Sequence, residues 1–381
     1  MFEMVEKEPT GTIIKVVGVG GAGGNAVDYM INEGVKGVHF ICANTDAQAL
    51  SRCLAPHKLP LGTTGLGAGS KPEAGRAAAL ESREASQAAL RGAHMVFITG
   101  GMGGGTGTGA APVVAEIAKE MGLLTVAVVT KPFDFENRVR VAESGIEELT
   151  RHVDSLIVVL NDKLLEVFGD DAGFEECFRS ADNVLRSAVG GIAEIINVPG
   201  LVNVDFQDVR TAMAEMGRAM MGTAEAAGID RARIAAEQAA VSPLLEGTEL
   251  SGARCVLVNI TASKSLKMSE VRDAVQTVQR FATDEAFVKY GTVFDDAMED
   301  RIRITVVATG LGTPRTVARP VVHVVPNTAT GTYGPTSAVV SESVNTEKMP
   351  NAFRRRTTVE AMSTNGVGTL DIPAFLRRQA D

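Results

Sequence analysis

The sequence predicts an α/β fold in which a parallel sheet flanked by helices leads, through a long connecting helix, to a smaller mixed α/β unit. Three observations predict it. Short apolar runs rich in Val and Ile alternate with helical stretches between residues 12 and 160. Glycine clusters follow several of those runs, and in an open parallel sheet such strand ends line one edge, where ligands bind. Past the helical stretch Phe174 to Ile196, strand patterns recur without glycine clusters.

Thr12 to Val19 reads as the first strand, Gly18 to Asn25 as a glycine turn and Ala26 to Ile31 as the start of a helix. Gly18, Gly20 and Gly23 match GxGxxG, which alone is a weak dinucleotide fingerprint. A second strand, Val38 to Ala43, ends at Asn44-Thr45-Asp46. An acid at that place would suit a nicotinamide enzyme, so an oxidoreductase is a rival reading. Leu61 to Ser70 is a glycine-rich loop, and Pro72 to Arg91 is an alanine-rich helical stretch.

The strand Ala93 to Ile98 then enters Gly101-Met102-Gly103-Gly104-Gly105-Thr106-Gly107-Thr108-Gly109, around which the chain is organised. Six glycines in nine residues cannot pack as a strand; they can turn tightly and present N–H groups to an anion at the start of a helix. Thr106 and Thr108 add hydroxyl donors, so a phosphate chain is expected. A flexible linker is the bland alternative, but linkers lack a buried strand on one side and a helix, here Ala110 to Met121, on the other. No Gly-Lys-Ser/Thr is present, so the loop is not a P-loop.

A strand from Leu123 to Val129 leads to Thr130-Lys131-Pro132, then a helix from Ala142 to His152 and a strand from Ser155 to Leu160. Glu136 with Arg138 and Arg140 is either a surface ion pair or a set of ribose and phosphate contacts. In the long helix, Gly190-Gly191 costs about 1 kcal/mol per glycine relative to alanine, as close packing or as a hinge. Asp205 and Asp208 lie three apart at the start of a helix running through Met213, where carboxylates cap or, with a partner ligand, activate water. Cys255 to Thr261, Ser269 to Phe281, Val288 to Phe294 and Ile302 to Ala308 read as strand, helix, strand and strand. From Gly312 to about Gly368 the chain fills with Pro, Thr, Asn and Ser, a basic linker with a span of roughly 40 Å if unstructured. It ends in Ile372, Phe375 and Leu376 at helical spacing beside Arg377 and Arg378, a docking peptide.

Composition narrows the function classes. A net charge of −9 argues against a general nucleic-acid surface. The four cysteines stand far apart with no CxxC, which suggests neither zinc nor disulfides, and the five histidines form no metal-ligand cluster. The acidic N-terminus has no apolar core, and no apolar run approaches a membrane span, so a cytoplasmic chain whose membrane contact goes through a partner is expected.

The glycine-threonine loop, the Gly20 to Asn25 turn, Asn203-x-Asp205-x-x-Asp208 and the terminal Asp371-Ile372-Pro373-Ala374-Phe375-Leu376 together resemble the FtsZ family of bacterial cell-division proteins, in the tubulin superfamily. The resemblance covers about Thr12 to Gly312 and returns at the tail. It implies an N-terminal extension (1–11), a Rossmann-like GTP-binding domain (12–173), a central helix (174–202), a tubulin-like GTPase-activating domain (203–312), a linker (313–368) and a partner-binding tail (369–381). GTP would be held by Gly20, Gly21, Ala22, Gly23, Gly24 and by Gly101, Gly103, Gly104, Gly105, Thr106, Gly107 and Thr108. Ala68, Gly69 and Ser70 would close over the γ-phosphate; Asn44, Thr130, Pro132, Glu136 and Arg140 would serve sugar and phosphate, with Arg138 the alternative arginine. Asn25, Phe178 and Asn183 would read or stack on guanine. Mg²⁺ is expected on the β- and γ-oxygens, without a dedicated protein metal site.

The resemblance further implies head-to-tail filaments that form the division ring at midcell. Asn203, Asp205 and Asp208 would polarise water at the neighbouring subunit's nucleotide, releasing GDP, and Asp371 to Asp381 would bind membrane-tethering and regulatory division proteins. The oxidoreductase reading leaves the second glycine loop, the paired aspartates and the tail unexplained. A scaffold that polymerises without hydrolysis keeps the fold and loses the enzyme.

Overall fold

A computed structural model describes residues 11–168, 173–198, 202, 204–214, 217–241, 253–283 and 286–311. The chain opens with β1 (Ile14–Val19), α1 (Gly20–Asn32), β2 (Val38–Asn44), α2 (Ala47–Arg52) and β3 (His57–Pro60). Next come α3 (Pro72–Glu81), α4 (Arg83–Leu90), β4 (Met95–Gly101), α5 (Thr106–Glu120) and β5 (Leu124–Lys131). They are followed by α6 (Val139–Thr150), β6 (Ser155–Leu160), α7 (Asn161–Phe168), α8 (Phe174–Asn197) and α9 (Phe206–Met213). Then β7 (Gly217–Ala227), α10 (Arg231–Ala240), β8 (Cys255–Ala262), α11 (Met268–Gln279), β9 (Phe287–Phe294) and β10 (Arg301–Leu311) complete the described chain.

The strands form one sheet in the order β3-β2-β1-β4-β5-β6-β7-β10-β8-β9. From β3 to β7 every pairing is parallel. β10 is antiparallel to both β7 and β8, and β8 pairs parallel with β9. The two regions meet where Ser155 to Ile157 pair with Gly217 to Ala219. This is the parallel-dominated α/β fold that the sequence predicts.

Strand alternation sorts the apolar residues into two layers. Val16, Phe97 and Val126 pack with α1 and α8, while Val17, Ile98 and Ala127 pack with α5 and its neighbours. A third cluster lies beneath α10 and α11, among Ala235, Val258, Ile260, Ile304 and Val306. Because the α8 side chains Val189 and Ile192 share one cluster with Val128, Leu257 and Val307, the long helix packs on both parts of the sheet.

Several elements differ from the sequence expectation. α1 begins at Gly20 and α5 at Thr106, so the glycine stretches run directly into helices instead of preceding them as separate turns. The alanine-rich stretch breaks at Ser82 into α3 and α4, and the Ser82 hydroxyl accepts from the Gly62 amide at 2.9 Å. α2, β3, α7, β7 and α10 were not anticipated; α2 and β3 are short, and β7 (Gly217–Ala227) is rich in Gly and Ala, which are poor strand signals.

Candidate functional site

All strands from β1 to β6 end at the same edge of the sheet, and there a cavity of about 290 Å³ forms above β1, β4, β5 and β6. Its floor is two helix starts. Neither α1, entered from Val19, nor α5, entered from Gly105, has a side-chain cap, so their first-turn amides are left for a ligand. The two starts abut: a Cβ on Gly20 would lie 3.0 Å from the Gly107 nitrogen. Close packing explains most of the remaining glycines. A Cβ on Gly107 would meet the Gly101 oxygen at 2.3 Å, and one on Gly23 would meet the Thr99 oxygen at 2.6 Å. Gly21 and Gly104 have nothing within 4 Å of the Cβ position, so they are the two bare backbone faces on the cavity.

Around this floor stand polar groups from three other strand ends. Thr106 Oγ1 is 2.7 Å from the hydroxyl of Thr45, which follows β2. Thr130 and Pro132 line the cavity after β5, and Glu136 accepts from the Phe133 amide at 3.1 Å while pairing with Arg138. Asn161, after β6, is buried, and its Oδ1 has no partner among the described residues. An orphaned acceptor in a polar cavity is a place for a ligand hydroxyl or amine. Phe178 of α8 closes one side, its ring edge-on to Phe133 at 5.6 Å, with Phe133 stacked on Phe135 at 5.2 Å.

Two family models match the chain: the GTPase domain of the tubulin/FtsZ family over residues 13–169 and the C-terminal domain of the FtsZ family over residues 217–312. The cell division protein FtsZ of Pseudomonas aeruginosa is 52 % identical across 100 % of both chains. The chain belongs to the FtsZ family. It is therefore a tubulin-like cell-division GTPase that binds GTP. Among solved structures, an FtsZ dimer from M. jannaschii superposes with a TM-score of 0.75 at 43 % identity, over 79 % of this chain and 89 % of that one. CetZ2 from Haloferax volcanii, a GTPγS-bound protofilament, shares the fold at 20 % identity with a TM-score of 0.67, over 80 % of this chain and 95 % of that one.

Within this FtsZ-family fold, the residues expected from sequence separate into three groups. Gly21, Ala22, Gly101, Gly104, Gly105, Thr106, Gly107, Thr130, Pro132, Glu136 and Phe178 line the cavity together. A second group supports it from behind. Gly20, Gly23 and Gly24 pack α1 on its neighbours, the Asn44 side chain accepts from the Asp46 amide at 3.1 Å, and Gly103 is held at φ 99° against Pro132 and Arg138. Ala68 is buried beneath Gly105, while Gly69 and Ser70 follow it with φ of 55° and 60°.

The third group stands apart. Thr108 is buried, its Oγ1 accepts from the Gly103 amide at 2.8 Å, and with Arg140 it lines a separate cavity between α3, α5 and α6. Thr108 thus braces the loop instead of facing the cavity. Of the two arginines, Arg138 lines the cavity at the strand ends. Asn25 is exposed, and exposed Asn183 accepts from Arg186 at 3.2 Å; neither lines the cavity.

Asp205 and Asp208 lie at the opposite edge of the sheet. Asp205 caps α9, accepting from the Asp208 amide at 2.7 Å, and Asp208 pairs with Lys289 at 3.0 Å. The next ring, Phe206, meets His94 edge-on at 6.1 Å, and His94 directly precedes β4. The other end of that strand, Gly101, is in the cavity, so about 20 Å of extended backbone separates the two places. Asn203 lies outside the described residues, as do Asp371 to Asp381.

One side chain that sequence reasoning passed over is Asp182. It lies four residues after Phe178, on the same face of α8 one turn on. Burial alone pushes its carboxyl up to about 7, with no hydrogen-bonding or ionic partner among the described residues. Its spacing from Phe178 was the available signal.

Proposed function

We propose that GTP lies across the two uncapped helix starts, with its phosphates on the amides of Gly21 and Gly104 to Gly107, and that hydrolysis requires the next subunit of a head-to-tail filament. Thr130, Glu136, Arg138 and Asn161 would serve the ribose and the phosphates, and the Phe178 ring would stack on the base. Asp182 would accept from the guanine N1–H and 2-amino group, a donor pair that adenine lacks at the same edge. Ala68, Gly69 and Ser70 would close over the γ-phosphate. This arrangement belongs to a nucleotide domain of residues 12–173, carried with a GTPase-activating domain of residues 203–312 on the central helix.

The single observation that carries the reading is the separation of Asp205 and Asp208 from their own chain's cavity by the width of the sheet. A carboxylate pair so placed serves only a nucleotide brought to it by another copy. Separation also avoids holding two acids permanently beside a bound triphosphate, where like charges would weaken binding. The dimer named for the M. jannaschii relative supports self-association of the chain. Asn203 joins the two aspartates in this proposal through its place in the same sequence motif.

Among the described residues, no group of three or more His, Cys, Asp or Glu is arranged to hold a metal ion. An Mg²⁺ ion arriving with GTP would neutralise charge on its phosphates. In the cell the filament would form the division ring on the inner face of the membrane. No helix among the described residues is long and apolar enough to cross a membrane, and the tail, Asp371 to Asp381, would dock tethering and regulatory division proteins.

GTP turnover per chain, measured against protein concentration, tests the assembly requirement. A threshold below which turnover vanishes is expected. Turnover per chain that is equal in dilute and concentrated solution would overturn the reading.

A further inference from the structure

A second cavity, of about 460 Å³, opens between the first residues of β1 and β2, the start of β3 and the end of α4. It lies at the N-terminal ends of β1 and β2, whereas the nucleotide cavity lies at the C-terminal strand ends. Its volume is within the usual range of small-molecule sites.

The lining is chemically one-sided. Every ionisable side chain on it is a cation or a histidine: Lys15, Arg91, His39 and His57. Among the described residues no carboxylate joins them, although the chain as a whole carries a net charge of −9. The rest of the wall is largely apolar, with Ile13, Val38, Ile41 and Pro56 contributing to it.

Lys15 is the telling residue. It lies on the face of β1 that otherwise buries Val17 and Val19 against α5 and its neighbours. Its ammonium is half-buried and donates to the carbonyls of Ala89 and Arg91, both at 2.8 Å. Two of its three protons are thereby used, and one is left for a ligand. Burial lowers its pKa from 10.5, the mark of a charge that has given up water. An anion in the cavity would restore that lost solvation, and the Arg91 guanidinium would add a second charge-assisted bond.

We propose that this cavity binds a small organic anion with an apolar body, its head a carboxylate or a phosphate, at a site independent of the nucleotide. The head meets Lys15 and Arg91, and the body lies on the apolar wall. No part of this rests on how GTP is held.

Calorimetric titration of the full chain with decanoate, decyl phosphate and decylammonium tests it. One equivalent of decanoate or decyl phosphate should bind, and decylammonium should not; the two anionic arms show which head is taken. Arg91→Glu, at an exposed position, should weaken the anion roughly tenfold or more while leaving GTP turnover unchanged. Lys15→Met should weaken it in the same sense, and should that variant fail to fold, Arg91→Glu still decides. Saturating GTP should leave the affinity unaltered. Equal binding of anion and cation, unchanged affinity in Arg91→Glu, displacement by GTP, or no binding of either anion would each overturn the proposal.

Discussion

Replacing Asp182 by asparagine is expected to abolish a proton release that accompanies nucleotide binding. In the free protein burial holds the Asp182 carboxyl at about 7, so at pH 7 roughly half the molecules carry it protonated. In the proposed complex the N1–H and 2-amino donors of guanine would bond to the ionised form and return its pKa toward the ordinary carboxylate range. Binding at pH 7 should then expel roughly half a proton per site from Asp182, rising toward one at pH 6 and falling toward none at pH 8. Calorimetric titration with GDP in buffers of different ionisation heat measures the released protons. The quantity that matters is the difference between wild type and Asp182→Asn, because it cancels protons contributed by the nucleotide. The same group acts on stability. An acid whose folded pKa is raised favours the folded state at low pH, and that advantage is lost as pH rises from about 4 to about 7. The loss is of order 4 kcal/mol in nucleotide-free protein and should be missing from the variant. Equal proton release by the two proteins, or an unaltered preference for GTP over inosine triphosphate in Asp182→Ala, would refute the base-reading role.

Gly107→Ala should lower the melting temperature by several degrees, because its Cβ would lie 2.3 Å from the Gly101 oxygen; Gly104→Ala, facing open space, should melt like wild type and weaken GTP alone. Arg138→Ala should reduce GTP affinity about tenfold in equilibrium binding, whereas Arg140→Ala, in the neighbouring cavity, should leave it unchanged. Arg231→Met strands Glu270, whose two oxygens it holds at 2.7 and 3.1 Å, and should cost about 3–5 kcal/mol in denaturant unfolding. That guanidinium depresses the Glu270 pKa, so its contribution is present above the ordinary carboxylate range and fades as pH falls through the folded value.

Where periodicity or glycine content acts locally, the sequence anticipated the molecule well. The strands β1, β2, β4, β5 and β6, the long α8 and the capping role of Asp205 follow from short-range rules, and all are present. Failures came where the deciding partner is distant in the chain. Ser82 breaks a helical stretch within reach of the Gly62 amide, and Thr108 turns from the cavity to brace Gly103. Choosing between Arg138 and Arg140 required knowing which way α6 leaves the strand, and one step along α8 separates Asn183 from the half-buried Asp182. The cationic cavity was invisible to composition, because Lys15, His39, His57 and Arg91 come from four separate segments.

The long helix α8 has a consequence beyond packing. Phe178, near its first turn, lines the nucleotide cavity, and Asn197, its last residue, donates to the Gly37 oxygen at 2.7 Å just before β2 begins. At 24 residues it is a rod of about 36 Å that runs from the cavity to the start of β2. In the proposed row of identical copies such a rod would be a ruler, setting how far each bound guanosine lies from the acids that follow it. Excising four residues would shorten the ruler by about 6 Å and rotate whatever comes after it by about 40°. The pitch of such a row would then depend on the length of a single helix.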